Sequence, residues 1–571
     1  MDENFFLSPS QPMHRRYEAL RAAYVDNLPN KDVTSRFGYT LDSFKSLKKI
    51  GKNFTADDFF KELKKGPSGP HKKTIAAKDK IVELRKRNYS VVEIHEQLLM
   101  QDIDISTSMI SKILKEEGFT KLFRRTHRER LETLQQQKNY PEIADVKCFG
   151  ERTQVSTPHG GIFLFLPIML KLRLPELFIN NDFYGSKVIP AISYLMSYVG
   201  LKLLGKERLC HIDDFGFDYG LGVFAGLNVM PKAAAISSYS YRHPSELVRK
   251  LLTGFVKSLY LNGYLKGQSI NLDFHSIPYY GDEAPLESNW VPTRNKRMKS
   301  VLSFFAQDLD TTFLCYSNGE IKVADQNDEV LEFAEFYKNS TGLLPQRLIF
   351  DSKLTTYENL NKLNNKGILF ITLKRRGKNF LNQVGQITDW KSITLDNVKR
   401  KYRKLLVSES MIHIDNYEDR VRQLIVNGTG RELPTSLITN DIKSNSKQIV
   451  TFYSHRWRIE NNIQENVDFF SLNALSSPVV VKVDFDIAMT LIANTLYKIL
   501  AIQSKWFEKA KPKMISRNFI DINANIKIET DFVEVKFAKK AYNPVLMDWI
   551  NSLSEVYIPW WDNRKLVYRF E

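Results

Sequence analysis

The order of short apolar runs between Gln268 and Lys374 constrains this chain most. QSINLDFHSIP reads as a strand. SVLSFFAQD and TTFLCYS read as the two arms of a β-hairpin around LDTT. DEVLEFAEFYKNST (Asp328–Thr341) has apolar residues at helical spacing, and RLIFDSK is a buried strand. TYENLNKLNNKG is then a helix and ILFITLK (Ile368–Lys374) another buried strand. Three strands in a meander followed by helix, strand, helix, strand predict a mixed sheet with helical crossovers. In that layout Asp273 ends the first strand, Asp351 ends the fourth, and the fourth lies beside the first.

Lys374–Lys404 carries ten Lys/Arg against two Asp, so the segment that follows is strongly basic. Alternating pieces continue to about residue 436, including RKLLVSESMIHI and DRVRQLIVNG, and predict a β-rich insertion. SLITNDIKSNSKQIV then leads into TFYSHRWRIENNIQENVDFF, Thr451–Phe470. Read as one helix, this places Tyr453, Arg456 and Glu460 at i, i+3 and i+7 on one face. Taken alone, the stripe also fits a surface helix with an Arg456–Glu460 ion pair worth roughly 0.3–0.5 kcal/mol.

The N-terminal part has a different texture. Residues 13 to about 50 read as three short helices, and NKDVTSRFGYTLDSFKSL has helix-turn-helix character, with Gly38 at the turn and Thr40 as a cap. KKGPSGPHKK (Lys64–Lys73) is a linker. A second such unit spans Lys78–Gly118, with Ser90 capping VVEIHEQLL and Ser106 or Thr107 capping SMISKILKEEG; FRRTHRER (Phe123–Arg130) follows closely. The candidate recognition helices carry Lys45, Lys48 and Lys49 in the first unit and Ser108, Lys112 and Lys115 in the second. Either unit alone fits an ordinary three-helix domain. Two in tandem, in a chain of net charge +17 and pI about 9.3, favour double-stranded DNA as partner.

Residues 150–265 look mainly helical, without a chemical signature. NIKIETDFVEVKFAKK near the C-terminus alternates like a hairpin. Cys148, Cys210 and Cys315 are odd in number and far apart, so neither a disulfide framework nor a structural zinc is indicated. MDENFFLSPS lacks the order of a signal peptide, and runs such as GIFLFLPIML are too short to span a bilayer. The expectation is a cytoplasmic protein with no membrane partner. The expected domains are 1–66 and 67–140 (tandem helix-turn-helix units), 141–266 (mainly helical), 267–375 and 437–510 (an α/β core in two parts), 376–436 (the β-rich insertion) and 511–571 (the tail). The fold class is multidomain and mixed.

Three carboxylates from separate segments, Asp273, Asp351 and Glu460, suit a hard divalent cation, which takes oxygen ligands and usually keeps water and substrate phosphate as well. Two such ions serve phosphodiester cleavage and transfer. On these residues the chain resembles bacterial and archaeal insertion-sequence transposases of the DDE class. In the cut-and-paste group of that class the final acid stands in the signature Tyr-x2-Arg-x3-Glu-x6-Lys. Tyr453, Arg456 and Glu460 match it, LDFHSIP and LIFDSK resemble the family's two Asp segments, and the likeness covers about residues 267–505. LGVFAGLNVMPKAAAISSYSYRH also resembles the stretch that precedes the first Asp.

The resemblance implies a ribonuclease H-like core. It implies two Mg²⁺ ions (Mn²⁺ as substitute), with Asp273 and Asp351 holding both and Glu460 one, and no small-molecule cofactor. Tyr453 and Arg456 would contact DNA phosphate, with Arg458, Lys374, Arg375 and Arg376 as further phosphate contacts. The partners would be transposon ends and target DNA, engaged by a homodimer in the DNA complex and in a prokaryotic, nucleoid-associated setting. Two departures stand out. Val467 occupies the position of the signature lysine, and a long loop from His275 to Lys299 includes Asp282 and Glu283, which read as exposed loop acids or as extra ligands. His275 and His455, close to the expected site, fit either a structural or a proton-transfer role. A DNA-binding regulator built on a retired transposase, and a structure-selective nuclease of the same fold, are the competing readings.

Overall fold

The computed structural model describes residues 6–7, 9, 11–51, 72–86, 89–99, 103–119, 146–149, 152–241, 243–281, 286–375, 377, 380–395, 403–428, 430, 433–474 and 479–571. Asp282, Glu283, Arg376, FRRTHRER and most of the linker at 64–73 lie outside them. The chain divides into two compact units, Met1–Ala76 and Ala77–Glu571.

In the first unit α1 (Pro12–Tyr24), α2 (Asn30–Phe37) and α3 (Leu41–Gly51) close over Ala19, Val33, Phe37 and Phe44. Gly38 ends α2 at φ 66°, in the left-handed region that a side chain disfavours, so the tight turn uses the residue expected for it. Thr40 accepts from the Ser43 amide at 3.2 Å and caps α3. The larger unit opens with the second three-helix element. Here α4 (Lys72–Lys86), α5 (Val91–Leu99) and α6 (Thr107–Glu116) bury Ile81, Ile94, Leu98, Ile110 and Ile113. Ser90 and Glu93 form a reciprocal cap on α5, and Ser106 is the residue that caps α6.

Two sheets follow. The smaller runs in the order β1 (Gln154–Thr157), β12 (Ala524–Ile528), β13 (Phe532–Phe537), β15 (Arg564–Phe570), β14 (Tyr557–Ile558). Its β12–β13 pair is the hairpin expected from the alternating tail. The larger sheet has ten strands among the described residues: β2 (Ser269–Pro278), β3 (Ser288–Val291), β4 (Lys296–Asp308), β5 (Leu314–Ile321), β6 (Arg347–Phe350), β7 (Leu369–Leu373), β8 (Lys391–Thr394), β9 (Lys404–Ile412), β10 (Val421–Asn427) and β11 (Thr435–Thr439). β5 pairs antiparallel with β4 and β4 antiparallel with β2; β2 runs parallel to β6, and β6 parallel to β7.

The basic segment adds β8 to β11 to the same sheet through the antiparallel β7–β11 pair, so the β-rich stretch extends the core and does not stand apart from it. All four residues of β6 are buried, as expected for a parallel strand covered on both faces. Leu348 and Phe350 face one apolar cluster, which runs from Phe149 to Leu566, and Ile349 faces another shared with Leu405, Leu424 and Ile449. Residues from 141–266, the sheet and the tail all share the first cluster.

One helix among the described residues, α7 (Val480–Gln503), is long and apolar enough to cross a membrane; its apolar window is 83% buried within the protein. Cys148 and Cys210 are exposed free thiols and Cys315 is a buried one.

Candidate active site

Asp273 and Asp351 meet because of strand register. β2 and β6 pair in parallel with Asn271 opposite Ile349, and two residues further along each strand come Asp273 and Asp351. Asp351 directly follows β6, as expected. Asp273 does not end its strand: β2 runs on through Pro278, held by β4, whose Phe305 lies opposite Asp273. An Asp at this position commonly forms a turn and ends a strand, but here the antiparallel partner β4 carries β2 past it.

Glu460 arrives on a broken helix, not on the single one expected. α8 (Ser446–Ser454) ends at His455, and α9 (Trp457–Phe470) begins after Arg456, with tight three-residue hydrogen bonds through the bend. Tyr453 therefore lies in the last turn of one helix, Arg456 caps the next, and Glu460 lies in its first turn. The stripe survives the break: the Arg456 guanidinium is 5.9 Å from the Tyr453 ring centre and 2.5 Å from a Glu460 oxygen.

Alternate residues of β2 dock this helix along its length. The Asn271 amide donates to the His455 carbonyl at 3.3 Å, Asp273 lies 3.7 Å from Arg456, and His275 Nε2 is 2.7 Å from Asn473 Oδ1, just beyond α9. Burial lowers the His275 pKa, and its contact with Asn473 gives it a fastening role. The period-2 spacing of 271, 273 and 275 marks Asn271 as a neighbour of the acid, whereas Asn473 has no local signal and is found only through His275.

The three acids share one electrostatic field. Burial pushes the Asp273 carboxyl up to about 7; Arg456 pulls it down, and Glu460 and Asp351 push it further up. Tyr453 is raised above its ordinary range by burial, with Asp351 and Glu460 adding to the rise. Arg456 is raised despite burial, by Tyr453, Asp273 and Glu460. One guanidinium thus stands between two carboxylates, with Asp351 adding a third negative charge that acts on Asp273 and Tyr453. Asp351 also accepts from the Ser352 amide at 2.6 Å.

An all-oxygen, electron-rich donor set suits a hard divalent cation. Among the described residues, however, no three His, Cys, Asp or Glu side chains stand close enough to hold an ion as placed. The Arg456 guanidinium fills the space between Asp273 and Glu460. In chemistry the donors fit such an ion: Asp273, Asp351 and Glu460 would hold it, with the guanidinium displaced.

Lys374 and Arg375 follow β7, whose Thr372 pairs with Phe350, so these cations lie at the same strand edge as Asp351. Arg458 departs from expectation. Its guanidinium donates to the Leu309 carbonyl at 3.0 Å, near the opposite end of β2, because its position on α9 turns it toward the β4–β5 turn. It lines a cleft of about 420 Å³ with Trp457, Lys498 and Lys511. Val467 is half-buried and packs against the main core, which accounts for an apolar residue there.

On α6, Ser108, Lys112 and Lys115 are exposed, opposite buried Ile110, Ile113 and Leu114. On α3, Lys45 and Lys49 are exposed, whereas Lys48 is half-buried, donates to Asn30 at 3.2 Å and stacks on Tyr24. No family model matches this chain, and none of the curated proteins compared with it matches either.

Proposed function

We propose that the chain is a DDE-class transposase that binds the ends of its mobile element, cleaves DNA there and joins the ends to a target. The observation that carries this reading is the register that brings Asp273 and Asp351 onto adjacent parallel strands, with Arg456 bridging Asp273 to Glu460 and with burial, Glu460 and Asp351 raising Asp273 to about 7. The strand order β5-β4-β2-β6-β7, with two antiparallel pairs followed by two parallel ones, supports a ribonuclease H-like core. The exposed basic faces of α3 and α6 support DNA binding by the two three-helix elements.

Divalent metal bound by the acids supplies the activation of water or a 3′-hydroxyl and the stabilisation of the leaving oxygen. The residues of the chain do the rest. Arg456 leaves the carboxylates for a DNA phosphate, which its planar fork grips by charge-assisted hydrogen bonds. Tyr453 flanks that phosphate, and Lys374 and Arg375 hold the backbone beside Asp351. Joining two ends calls for two copies of the chain on DNA.

The test uses a supercoiled plasmid carrying the chain's own gene with its flanking DNA, incubated in Mg²⁺ or Mn²⁺. Cleavage at the element ends, strand joining, and loss of both in Asp351→Asn with end binding retained are expected. Full activity in that variant contradicts the reading, and cleavage without a joined product points to a nuclease. A second reading, a retired transposase kept as a DNA-binding regulator, draws on Arg456 closing over Glu460 and on Val467 in the place of the signature lysine. It expects binding with no acid-dependent cleavage.

A further inference from the structure

The strands of the basic segment are fastened to the loop that launches the helix pair bearing Arg456 and Glu460. Arg422 on β10 donates from Nε at 3.0 Å and from one Nη at 2.6 Å to a single carboxylate oxygen of Glu409 on β9. Its other Nη donates to the carbonyls of Asp441 at 3.1 Å and Ser444 at 2.5 Å. The second oxygen of Glu409 accepts from the hydroxyl of Ser446, the first residue of α8. This side chain therefore ties two strands to both ends of a short loop.

The same loop is gripped from within. Asp441 accepts from Arg347 at 2.8 Å and from the Ser444 hydroxyl at 2.6 Å. Arg347 belongs to β6, the strand that leads to Asp351, and donates at 3.1 Å to Ser269 on β2, the strand that bears Asp273. Its guanidinium also lies 4.3 Å from the centre of the Phe452 ring, one residue before Tyr453. All three acid-bearing segments thus meet at the Asp441–Ser446 loop, and Arg422, with its partner Glu409, reaches that loop from outside them.

We propose that Arg422 is a positioning residue: through the Asp441–Ser446 loop it sets α8 and α9 so that Arg456 and Glu460 face Asp273 and Asp351. This links the basic strands to the acids, and it rests on the metal-dependent site proposed above. Arg422 is half-buried on β10, between the buried residues Val421 and Gln423, so its loss loosens one side of the loop without opening the apolar core. Outer partners of this kind tune a metal site without touching it, typically by 10–100-fold in affinity.

The experiment compares full-length wild type with Arg422→Gln, Arg422→Lys and Glu409→Gln. Mn²⁺ alone is titrated against the melting temperature without DNA, and against cleavage of the plasmid described above. The proposal expects the half-saturating Mn²⁺ concentration to rise about tenfold or more in Arg422→Gln. Arg422→Lys should be intermediate, since it keeps the charge and loses the fork, and metal-free melting should stay near wild type. A midpoint within twofold of wild type overturns the proposal. A parallel loss of melting temperature and activity at an unchanged midpoint also overturns it, since that marks a purely structural role. Wild-type cleavage with an unchanged midpoint in Arg422→Gln fails the positioning role alone. A displaced thermal midpoint in a protein that never cleaves DNA fails the transposase reading alone. A wild type whose melting does not respond to Mn²⁺ overturns both.

Discussion

The two ends of one pair of strands handle charge in opposite ways. Where β2 and β6 begin, Arg347 and Asp441 are buried, face each other at 2.8 Å and are further bonded to Ser269 and Ser444. Burial alone would raise Asp441, but the Ser444 bonds and Arg347 hold it below the ordinary carboxylate range. Where β6 ends, beside the middle of β2, Asp273 is pushed up to about 7 by burial, Glu460 and Asp351, with one guanidinium between it and Glu460. The first end is charge-balanced and structural. The second sets Asp273 among other acids with one guanidinium beside it, an imbalance that would suit the cation proposed above.

Breaking the balanced end should have the largest effect on stability. Arg347→Met leaves Asp441 buried and unpaired and is expected to cost about 3–5 kcal/mol, whereas Arg347→Met combined with Asp441→Leu should recover most of that loss. Chemical denaturation of the single and double variants checks this. Equal loss in both would mean that the pair is not the unit described here.

The unbalanced end should respond with the opposite sign. The folded protein keeps the Asp273 proton up to pH about 7, while the unfolded chain loses it near 4, so this group's cost to stability grows as pH rises from 4 to 7 and persists above. Asp273→Asn is therefore expected to stabilise the metal-free protein at pH 8 by roughly 2–4 kcal/mol, and to change little at pH 4. It should abolish cleavage at the same time. Asp441, whose folded pKa is depressed, contributes stability above the ordinary carboxylate range and loses it as pH falls through its own lower value. Asp441→Asn should therefore destabilise at pH 8, and denaturation of the two Asn variants across pH should give curves that slope in opposite directions.

Divalent metal sharpens the same contrast. Since metal and proton compete for Asp273, Mg²⁺ should raise the melting temperature more at pH 8 than at pH 5.5, and the gain should vanish in Asp351→Asn. A gain independent of pH would place the ion elsewhere. The smallest effects belong to the helical faces remote from the acids. Lys112→Ala or Lys115→Ala should weaken end binding and reduce the slope of log affinity against log salt by about 1 each, measured by titration at several salt concentrations.

Much of this was legible in the sequence. The strand, hairpin and helix order from Gln268 to Lys374 follows from apolar periodicity, and Gly38, Thr40, Ser90 and Ser106 mark the turn and caps of the three-helix elements. The Tyr453–Arg456–Glu460 stripe was also readable, because spacing along a helix is a local property. What escaped depends on neighbours distant in sequence. The continuation of β2 past Asp273 needs β4, the union of β8 to β11 with the core sheet needs β7, and the turn of Arg458 toward Leu309 needs the β4–β5 turn. The break at His455–Arg456 has no Gly or Pro to announce it. Arg347 and Asp441 lie 94 residues apart, and no local pattern pairs them.

The most direct test of the central claim is the action of the wild type and Asp351→Asn on the plasmid carrying the chain's gene and flanking DNA, with Mg²⁺. Cleavage and joining at the element ends by the wild type alone, with equal end binding by both proteins, is the predicted result. Equal cleavage by the two would remove Asp351 from the chemistry, and with it the three-acid site.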